Sequence, residues 1–305
     1  MMQVYPHQQE VFSELLRTAK TFFSGVWREF PTRPRFHRLV VGESGSGKSF
    51  LSRAAASTLG MPYWDCTSTN WIPLGGSERG ARPTWLDVVD FVAAHERCVL
   101  AIDEIDKLGT QASPWMTCVR TEIFGLLDRE VPVNLLVKNE PWDDDEAPDL
   151  SVIRSRLRES VFLVGAGAFQ SLWDFEPSAT IGFGATATAP TEKMHLRRLT
   201  EVLPVELLNR FAPPVLALPP LLEADYVHLL NHTMRRLDGI HRQIAKAVGK
   251  RTMEAAIRDR LGCRWIEQIM LETASSLTDL SSSPKPSKCG GEKKSDLLND
   301  LSEPL

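Results

Sequence analysis

Long apolar runs are missing from this chain. The longest, over residues 161–169, falls well short of the ~20 residues that a membrane-spanning helix needs, so no transmembrane segment is expected. The opening Met1-Met2-Gln3-Val4-Tyr5-Pro6 has neither a basic start nor an apolar core, and no secretory leader is expected from it. Cysteine is sparse. Cys66, Cys98, Cys118, Cys263 and Cys289 are odd in number, scattered, and form no Cys-x-x-Cys, which speaks against a disulfide frame or a zinc site and for a reducing, cytoplasmic setting. Positive charge is not in surplus either. A net charge of −4 removes the electrostatic case for tight nucleic-acid binding by the whole chain, while a local basic patch stays open. No internal repeat is visible. What remains is ordinary for a globular protein: 43% hydrophobic and 24% charged residues, in a chain long enough to bury a large core and to divide in two.

One stretch organises the rest. Gly42-Glu43-Ser44-Gly45-Ser46-Gly47-Lys48-Ser49 matches Gly-x-x-x-x-Gly-Lys-Ser/Thr, the spelling of a nucleotide-phosphate loop. The β-branched run Leu39-Val40-Val41 before it suits a buried strand, and Phe50-Leu51-Ser52-Arg53-Ala54-Ala55-Ala56 after it is a good helix start. The chemistry needs these residue types. Gly42, Gly45 and Gly47 let backbone N–H groups turn inward where a side chain would block a phosphate oxygen. The following helix points its positive end at the same charge. Lys48 can reach the β- and γ-phosphates of ATP, and the Ser49 hydroxyl can ligate Mg²⁺.

A second strand, Cys98-Val99-Leu100-Ala101-Ile102, ends in Asp103-Glu104. It lies about 55 residues past Lys48, the kind of crossover distance that lets a parallel sheet bring two strand ends together. There Asp103 would hold Mg²⁺ through water, and Glu104 would polarise the attacking water as a general base. The pair of signatures argues for hydrolysis over nucleotide storage.

Along the remaining chain, residues 7–25 read as a helix with Val11, Leu15, Leu16 and Phe22 or Phe23 at helical spacing. Pro31-Thr32-Arg33-Pro34 breaks it. A strand over 61–66 and a loop over 67–83 follow, the loop carrying Trp71-Ile72-Pro73-Leu74-Gly75-Gly76. Helices are expected over 85–96 and 114–130. A polar insert then contains Trp142-Asp143-Asp144-Asp145-Glu146, either a cation site or solvated loop. Arg154, Arg156 and Arg158 read as surface charges beside the strand 161–164, which ends at Gly165-Ala166-Gly167-Ala168-Phe169-Gln170. Arg210 closes an apolar helix, as a structural surface arginine or as an arginine that reaches a neighbour's γ-phosphate. From about residue 218 the chain reads as all-helical, over 223–237, 241–248, 252–261 and 264–277, after the punctuation of Pro213, Pro214, Pro219 and Pro220. His228 and His232 share a helix face, but no Glu follows the first His as a zinc-protease motif requires. Residues 281–295 have linker composition, and Asp296-Leu297-Leu298-Asn299-Asp300-Leu301 is either a frayed end or a docking peptide.

Taken together these residues resemble AAA+ ATPases over about 35–275, and within them the ClpX and HslU class of unfoldases. The phosphate loop carries the resemblance, with Ile102-Asp103-Glu104-Ile105-Asp106-Lys107, which reads almost letter for letter like ClpX. Gly167-Ala168-Phe169-Gln170 looks like the matching strand end. Ile181-Gly182-Phe183-Gly184-Ala185 is similar to the segment by which ClpX docks on the ClpP peptidase. Pro204-Val205-Glu206-Leu207-Leu208-Asn209-Arg210 fits the arginine-finger helix, and Gly262-Cys263-Arg264 stands where the class has its sensor-2 arginine. The resemblance implies an α/β P-loop NTPase (AAA+) fold, a parallel sheet sandwiched by helices, with a small all-helical lid domain after it. The implied boundaries are 1–217, 218–280 and a flexible tail over 281–305.

It also implies ATP and Mg²⁺ as cofactors and assembly as a ring, typically a hexamer. Catalytic roles fall to Glu104, Lys48 and Arg210, with Arg210 acting in the next subunit. Nucleotide contacts fall to Gly42, Glu43, Ser44, Gly45, Ser46, Gly47, Lys48, Ser49 and Phe50, and to Arg264 from the lid. Metal contacts fall to Ser49 and Asp103. The implied activity is that of an ATP-driven protein remodeller or unfoldase; a regulatory or loading ATPase on nucleic acid is the alternative, and a ClpP-like peptidase would be met through Ile181-Gly182-Phe183. The departures are specific. No amino-terminal zinc domain is expected from these residues, and the pore loop Gly-Tyr-Val-Gly has no literal copy. Trp71-Ile72 lies in roughly that interval, as an aromatic paddle or as a buried anchor. The insert that is basic in ClpX is acidic here, and Val164-Gly165-Ala166 offers no polar sensor-1 side chain.

Overall fold

The computed structural model describes residues 4–74, 81–109, 113–133, 135, 148–170 and 196–282. The acidic run over 142–146, the segment 181–185, Gly75-Gly76 and the tail from 283 lie outside the described residues. The chain divides into two compact units, Met1–Pro220 and Leu221–Leu305.

In the first unit a 3-10 turn (Pro6–Gln8) leads into α1 (Gln9–Ser24), and a second 3-10 turn (Val26–Glu29) precedes β1 (Arg38–Val41). Then come α2 (Lys48–Leu59), β2 (Tyr63–Thr67), a 3-10 turn (Ser68–Asn70), α3 (Thr84–Ala94) and β3 (Cys98–Asp103). A 3-10 turn (Ile105–Leu108), α4 (Pro114–Leu127), α5 (Leu150–Glu159) and β4 (Val161–Gly167) follow. The unit ends with α6 (Leu196–Val202), α7 (Val205–Leu208) and the short β5 (Leu216–Ala217).

The described strands form one parallel sheet in the order β2-β3-β4-β1-β5. Both faces are buried, and the alternation of a strand divides them residue by residue. Leu39, Val41, Leu100, Ile102, Val161 and Leu163 face one core. Val40, Val99, Phe162 and Val164 face the other. Trp85, Val88, Val89 and Val92 of α3, Val119, Ile123 and Leu126 of α4 and Ile153 and Leu157 of α5 close the first core. Val11, Leu15, Ala19 and Phe22 of α1 with Leu51, Ala54, Ala55 and Ala56 of α2 close the second. This is the expected helix-sheet-helix sandwich of a P-loop NTPase.

Two local expectations change. Helix α5 stands where the sequence suggested only an insert and surface charges. Its Arg156 is no idle surface residue: the guanidinium donates to Val92 O and Ala93 O at 2.9 and 2.7 Å, closing the carboxyl end of α3. Cations there satisfy carbonyls that a helix cannot pair itself.

In the second unit α8 (Glu223–Met234), α9 (Gly239–Arg258) and α10 (Arg264–Ser282) pack around Tyr226, Leu230, Val248, Trp265 and Ile269. The two helices expected over 241–248 and 252–261 are one. Gly249, which lies between the two expected spans, is buried inside α9, where a Cβ would lie 2.5 Å from Leu230 Cδ1. The glycine serves close helix packing. No helix among the described residues is long and apolar enough to cross a membrane.

Candidate functional site

Because every strand of the sheet runs the same way, the carboxyl ends of β1, β3 and β4 share one edge. The loop 42–49 leaves β1 there and runs directly into α2. Gly42 abuts the loop's own far side and the strand beyond: an added Cβ would lie 2.8 Å from Ser46 Oγ and 2.9 Å from Leu218 Cβ. Gly45 and Gly47 adopt φ of 81° and 92°, left-handed backbone that glycine enters without steric cost. Lys48, the first residue of α2, is buried, and its Nζ donates to Gly42 O at 2.9 Å and Glu43 O at 3.0 Å, spanning the loop. Ser44 and Phe50 are partly buried, and Phe50 packs on the second core.

Two observations test whether a triphosphate suits this loop. No side chain caps α2, so the orphan N–H groups of its first turn keep their positive end for an anion. The Ser46 hydroxyl is buried with no hydrogen-bond partner, an arrangement that a polar ligand would relieve. Both fit.

Asp103 closes β3, and the Ser49 hydroxyl donates to its Oδ2. The other carboxylate oxygen accepts from Glu104 N–H at 2.8 Å. A hydroxyl and a carboxylate side by side are hard oxygen donors of the type Mg²⁺ takes. Glu104 itself has φ 58° and ψ 34°, a conformation costing a non-glycine residue about 1–2 kcal/mol. Its backbone carbonyl accepts from Ser68 Oγ at 2.7 Å and its carboxylate from the Thr69 hydroxyl. Thr69 is the residue that sequence reasoning missed. The one available signal was its place just beyond β2, whose Thr67 pairs with Asp103 in the sheet.

On the same edge Ala168 N–H donates to Asp106 Oδ1 at 3.2 Å. Gly165 is required by packing, since a Cβ would lie 2.7 Å from the Phe211 ring.

Arg210 finds its partners outside this cluster. Arg210 follows α7 and grips Asp128 at the end of α4, Nε at 2.9 Å from both carboxylate oxygens and Nη2 at 2.7 Å from Oδ2. Its Nη1 donates to Glu206 O at 2.7 Å, and the guanidinium stacks 4.3 Å from the Phe124 ring centre. Arg264 is exposed on the first turn of α10, in the second unit. The turn before it is held by Gly262 N–H donating to Tyr226 Oη at 3.0 Å.

Trp71 decides between its two readings. It is 1% exposed, meets Trp85 edge-on at 6.5 Å, and donates from Nε1 to Glu122 Oε2 at 2.8 Å. The other Glu122 oxygen accepts from Leu74 N–H at 2.6 Å. The residue is a buried anchor, and the aromatic-paddle reading is corrected: an indole used inside its own subunit cannot also line a central pore. His228 and His232 join no group of three or more metal-type side chains among the described residues.

Comparison with known proteins agrees with this geometry. Residues 38–132 match the model of the ATPase family associated with various cellular activities (AAA). Similar proteins include the chloroplastic ATP-dependent zinc metalloprotease FTSH 1 of Oryza sativa subsp. japonica, 34% identical over 73 residues, 24% of this chain and 10% of the relative. Another is the chloroplastic FTSH 5 of Arabidopsis thaliana, also named an ATP-dependent zinc metalloprotease, 32% identical over 78 residues, 26% of this chain and 11% of the relative. The ATP-dependent zinc metalloprotease FtsH 1 of Thermomicrobium roseum is 33% identical over 73 residues, 24% of this chain and 11% of the relative. The chain thus spans about a tenth of the length of these curated relatives. They are of the FtsH kind and not of the ClpX or HslU class.

Proposed function

With an AAA ATPase module, one that takes ATP and Mg²⁺, as the premise, we propose that this chain is a ring-forming motor that uses ATP hydrolysis to remodel protein substrates. The observation that carries the catalytic part is the hydrogen bond joining Ser49 to Asp103, which unites the phosphate loop with the acidic end of β3. The remodelling part draws on the relatives named as ATP-dependent proteases and on the ClpX-like spelling of residues 102–107.

In this reading the N–H groups of Gly45, Gly47, Lys48, Ser49 and Phe50 would line the β- and γ-phosphates, with Gly42, Glu43, Ser44 and Ser46 shaping the turn. Lys48 exchanges its bonds to Gly42 O and Glu43 O for phosphate oxygens. Ser49 and Asp103 would hold Mg²⁺, which when bound would neutralise charge on the phosphates. Glu104 takes the proton of the attacking water, and its left-handed backbone turns the carboxylate out of the line of β3. Arg210 leaves Asp128 to reach the γ-phosphate of a neighbouring copy, where its charge counts most in the transition state. Arg264 would touch the nucleotide from the helical unit and couple hydrolysis to movement of that unit. Catalysis is positioning and charge neutralisation.

Glu104→Gln tests this directly. It is expected to bind ATP as the parent does while turnover drops roughly 10²–10⁴-fold. Unchanged turnover would remove Glu104 from the mechanism. Stimulation of the ATPase by an unfolded protein supports the remodelling reading; stimulation by DNA or RNA with a steep salt dependence would replace it with a nucleic-acid role.

A further inference from the structure

Gln8 closes the 3-10 turn Pro6–Gln8, far from the phosphate loop in sequence, yet its side chain is fully buried against that loop. Its Oε1 accepts from Tyr5 N–H at 3.2 Å and its Nε2 donates to Ser46 O at 2.8 Å. One donor and one acceptor face the amide, so the network itself fixes which end is which. A trans peptide is planar, with its C=O and N–H pointing in opposite directions. Holding Ser46 O toward Gln8 therefore turns the Gly47 N–H to the opposite side of the loop.

That peptide needs holding. Gly47 sits at φ 92° and ψ 24°, and glycine accepts either sign of φ, so rotation of the 46–47 peptide meets little resistance from Gly47. The Ser46 hydroxyl has no hydrogen-bond partner and supplies no lock. Ser46 N–H, bonded to Glu43 O at 3.2 Å, fixes the preceding peptide instead.

We propose that Gln8 is a positioning residue for ATP: it locks the Ser46–Gly47 peptide with the Gly47 N–H aimed at the phosphates, which makes the amino-terminal turn part of the nucleotide site. The proposal rests on reading residues 42–49 as the phosphate loop.

The test is equilibrium binding of a fluorescent ATP analogue to the full chain carrying Glu104→Gln to block turnover, with thermal midpoints measured in parallel. Gln8→Met keeps the side-chain length without a donor and is expected to weaken binding roughly fivefold to tenfold. Gln8→Glu adds a pH signature. Its buried carboxyl is raised and, when protonated, offers an O–H to Ser46 O. Binding at pH 5.5 should stay within about twofold of the parent at that pH and fall about tenfold below it at pH 8.

Val11→Ala loosens α1, the helix that follows the turn, at a buried apolar position and should leave binding alone. Parent-like binding by Gln8→Met, a Gln8→Glu difference that ignores pH, or an equal loss in Val11→Ala overturns the proposal. Gln8→Met stands as the test if the carboxylate variant does not fold. Lys48→Ala separates the two levels: if it binds ATP like the parent, the phosphate-loop reading itself fails, whatever Gln8 does.

Discussion

Trp71→Ala distinguishes a buried anchor from a substrate-gripping paddle. Deleting a fully buried tryptophan side chain costs about 3–5 kcal/mol in lost transfer energy and residual cavity. Here it also strips Glu122 Oε2 of its indole partner, and an unsatisfied buried acceptor adds roughly 1–3 kcal/mol. The total, about 4–8 kcal/mol, is most of the ~5–15 kcal/mol that holds a domain folded.

Trp71→Phe is the graded version. It keeps a six-membered ring against Trp85 but removes the N–H and three ring atoms with it, so roughly 1–3 kcal/mol should go, less than for alanine. Urea titration followed by far-UV circular dichroism reads both. At a typical slope of ~1–3 kcal/mol per molar, Trp71→Phe should lower the midpoint by around 1 M. Trp71→Ala should lower it by several molar or be unfolded without denaturant.

A pH signature accompanies the loss. Burial raises the Glu122 carboxyl, while the bonds from Trp71 and Leu74 pull it down. Removing the indole should raise it further. A group raised on folding contributes stability below its unfolded value near 4.5 and loses it as pH rises through the folded value. Trp71→Phe should therefore be least penalised in acid. If Trp71→Ala instead keeps the parental midpoint and loses only protein remodelling, the anchor assignment is wrong and the paddle returns.

Three further outcomes follow from the geometry. The half-exposed Asp128–Arg210 pair should be worth under about 1 kcal/mol in stability. Arg210→Ala should nevertheless cut turnover by roughly 10³-fold or more, and Asp128→Asn, which frees the guanidinium, should raise activity at dilute protein; a full-speed Arg210→Ala would refute the finger. Burial and the Arg129 charge, with smaller help from Arg33 and Arg35, hold the His37 imidazole well below its ordinary value, against the bond to Leu127 O, which raises it. Below about pH 6.5 the unfolded chain gains a proton that the native chain refuses, so stability falls with acid by up to ~1.4 kcal/mol per pH unit. Comparing urea midpoints at pH 7.5 and 5.5, His37→Asn should show a shallower loss than the parent; identical slopes would discard the assignment. Gly165→Ala should destabilise by roughly 1–3 kcal/mol through overpacking on Phe211, with Phe211→Leu restoring part of it; additive losses in the double variant would remove the steric cause.

The glycine-rich loop over 42–49 and the acidic strand end were legible as local structure in the linear chain because each is a local device. Gly45 and Gly47 are needed for their own backbone angles, Lys48 and Ser49 begin the helix that follows them, and Asp103 and Glu104 close a strand of continuous apolar residues. The central strands of the first unit were readable for the same reason, since burial on both sheet faces leaves unbroken runs such as Leu39-Val40-Val41 and Cys98-Val99-Leu100-Ala101-Ile102, whereas α5 and the short β5 carry no such run. What the chain could not declare in one dimension depends on partners distant along it. Gln8 meets Ser46, Thr69 meets Glu104, Trp71 meets Glu122 and Arg210 meets Asp128, and no periodicity encodes such pairings. Gly249 shows the same boundary from the other side: it lies between two expected helices that are one, and Leu230 of the neighbouring helix occupies the space that its missing side chain leaves. Composition and spacing set the kind of fold and the phosphate chemistry, because those follow from backbone angles and local charge. The tertiary structure alone decided which side chains anchor the core and which brace the loop, because that depends on what packing brings within hydrogen-bond reach.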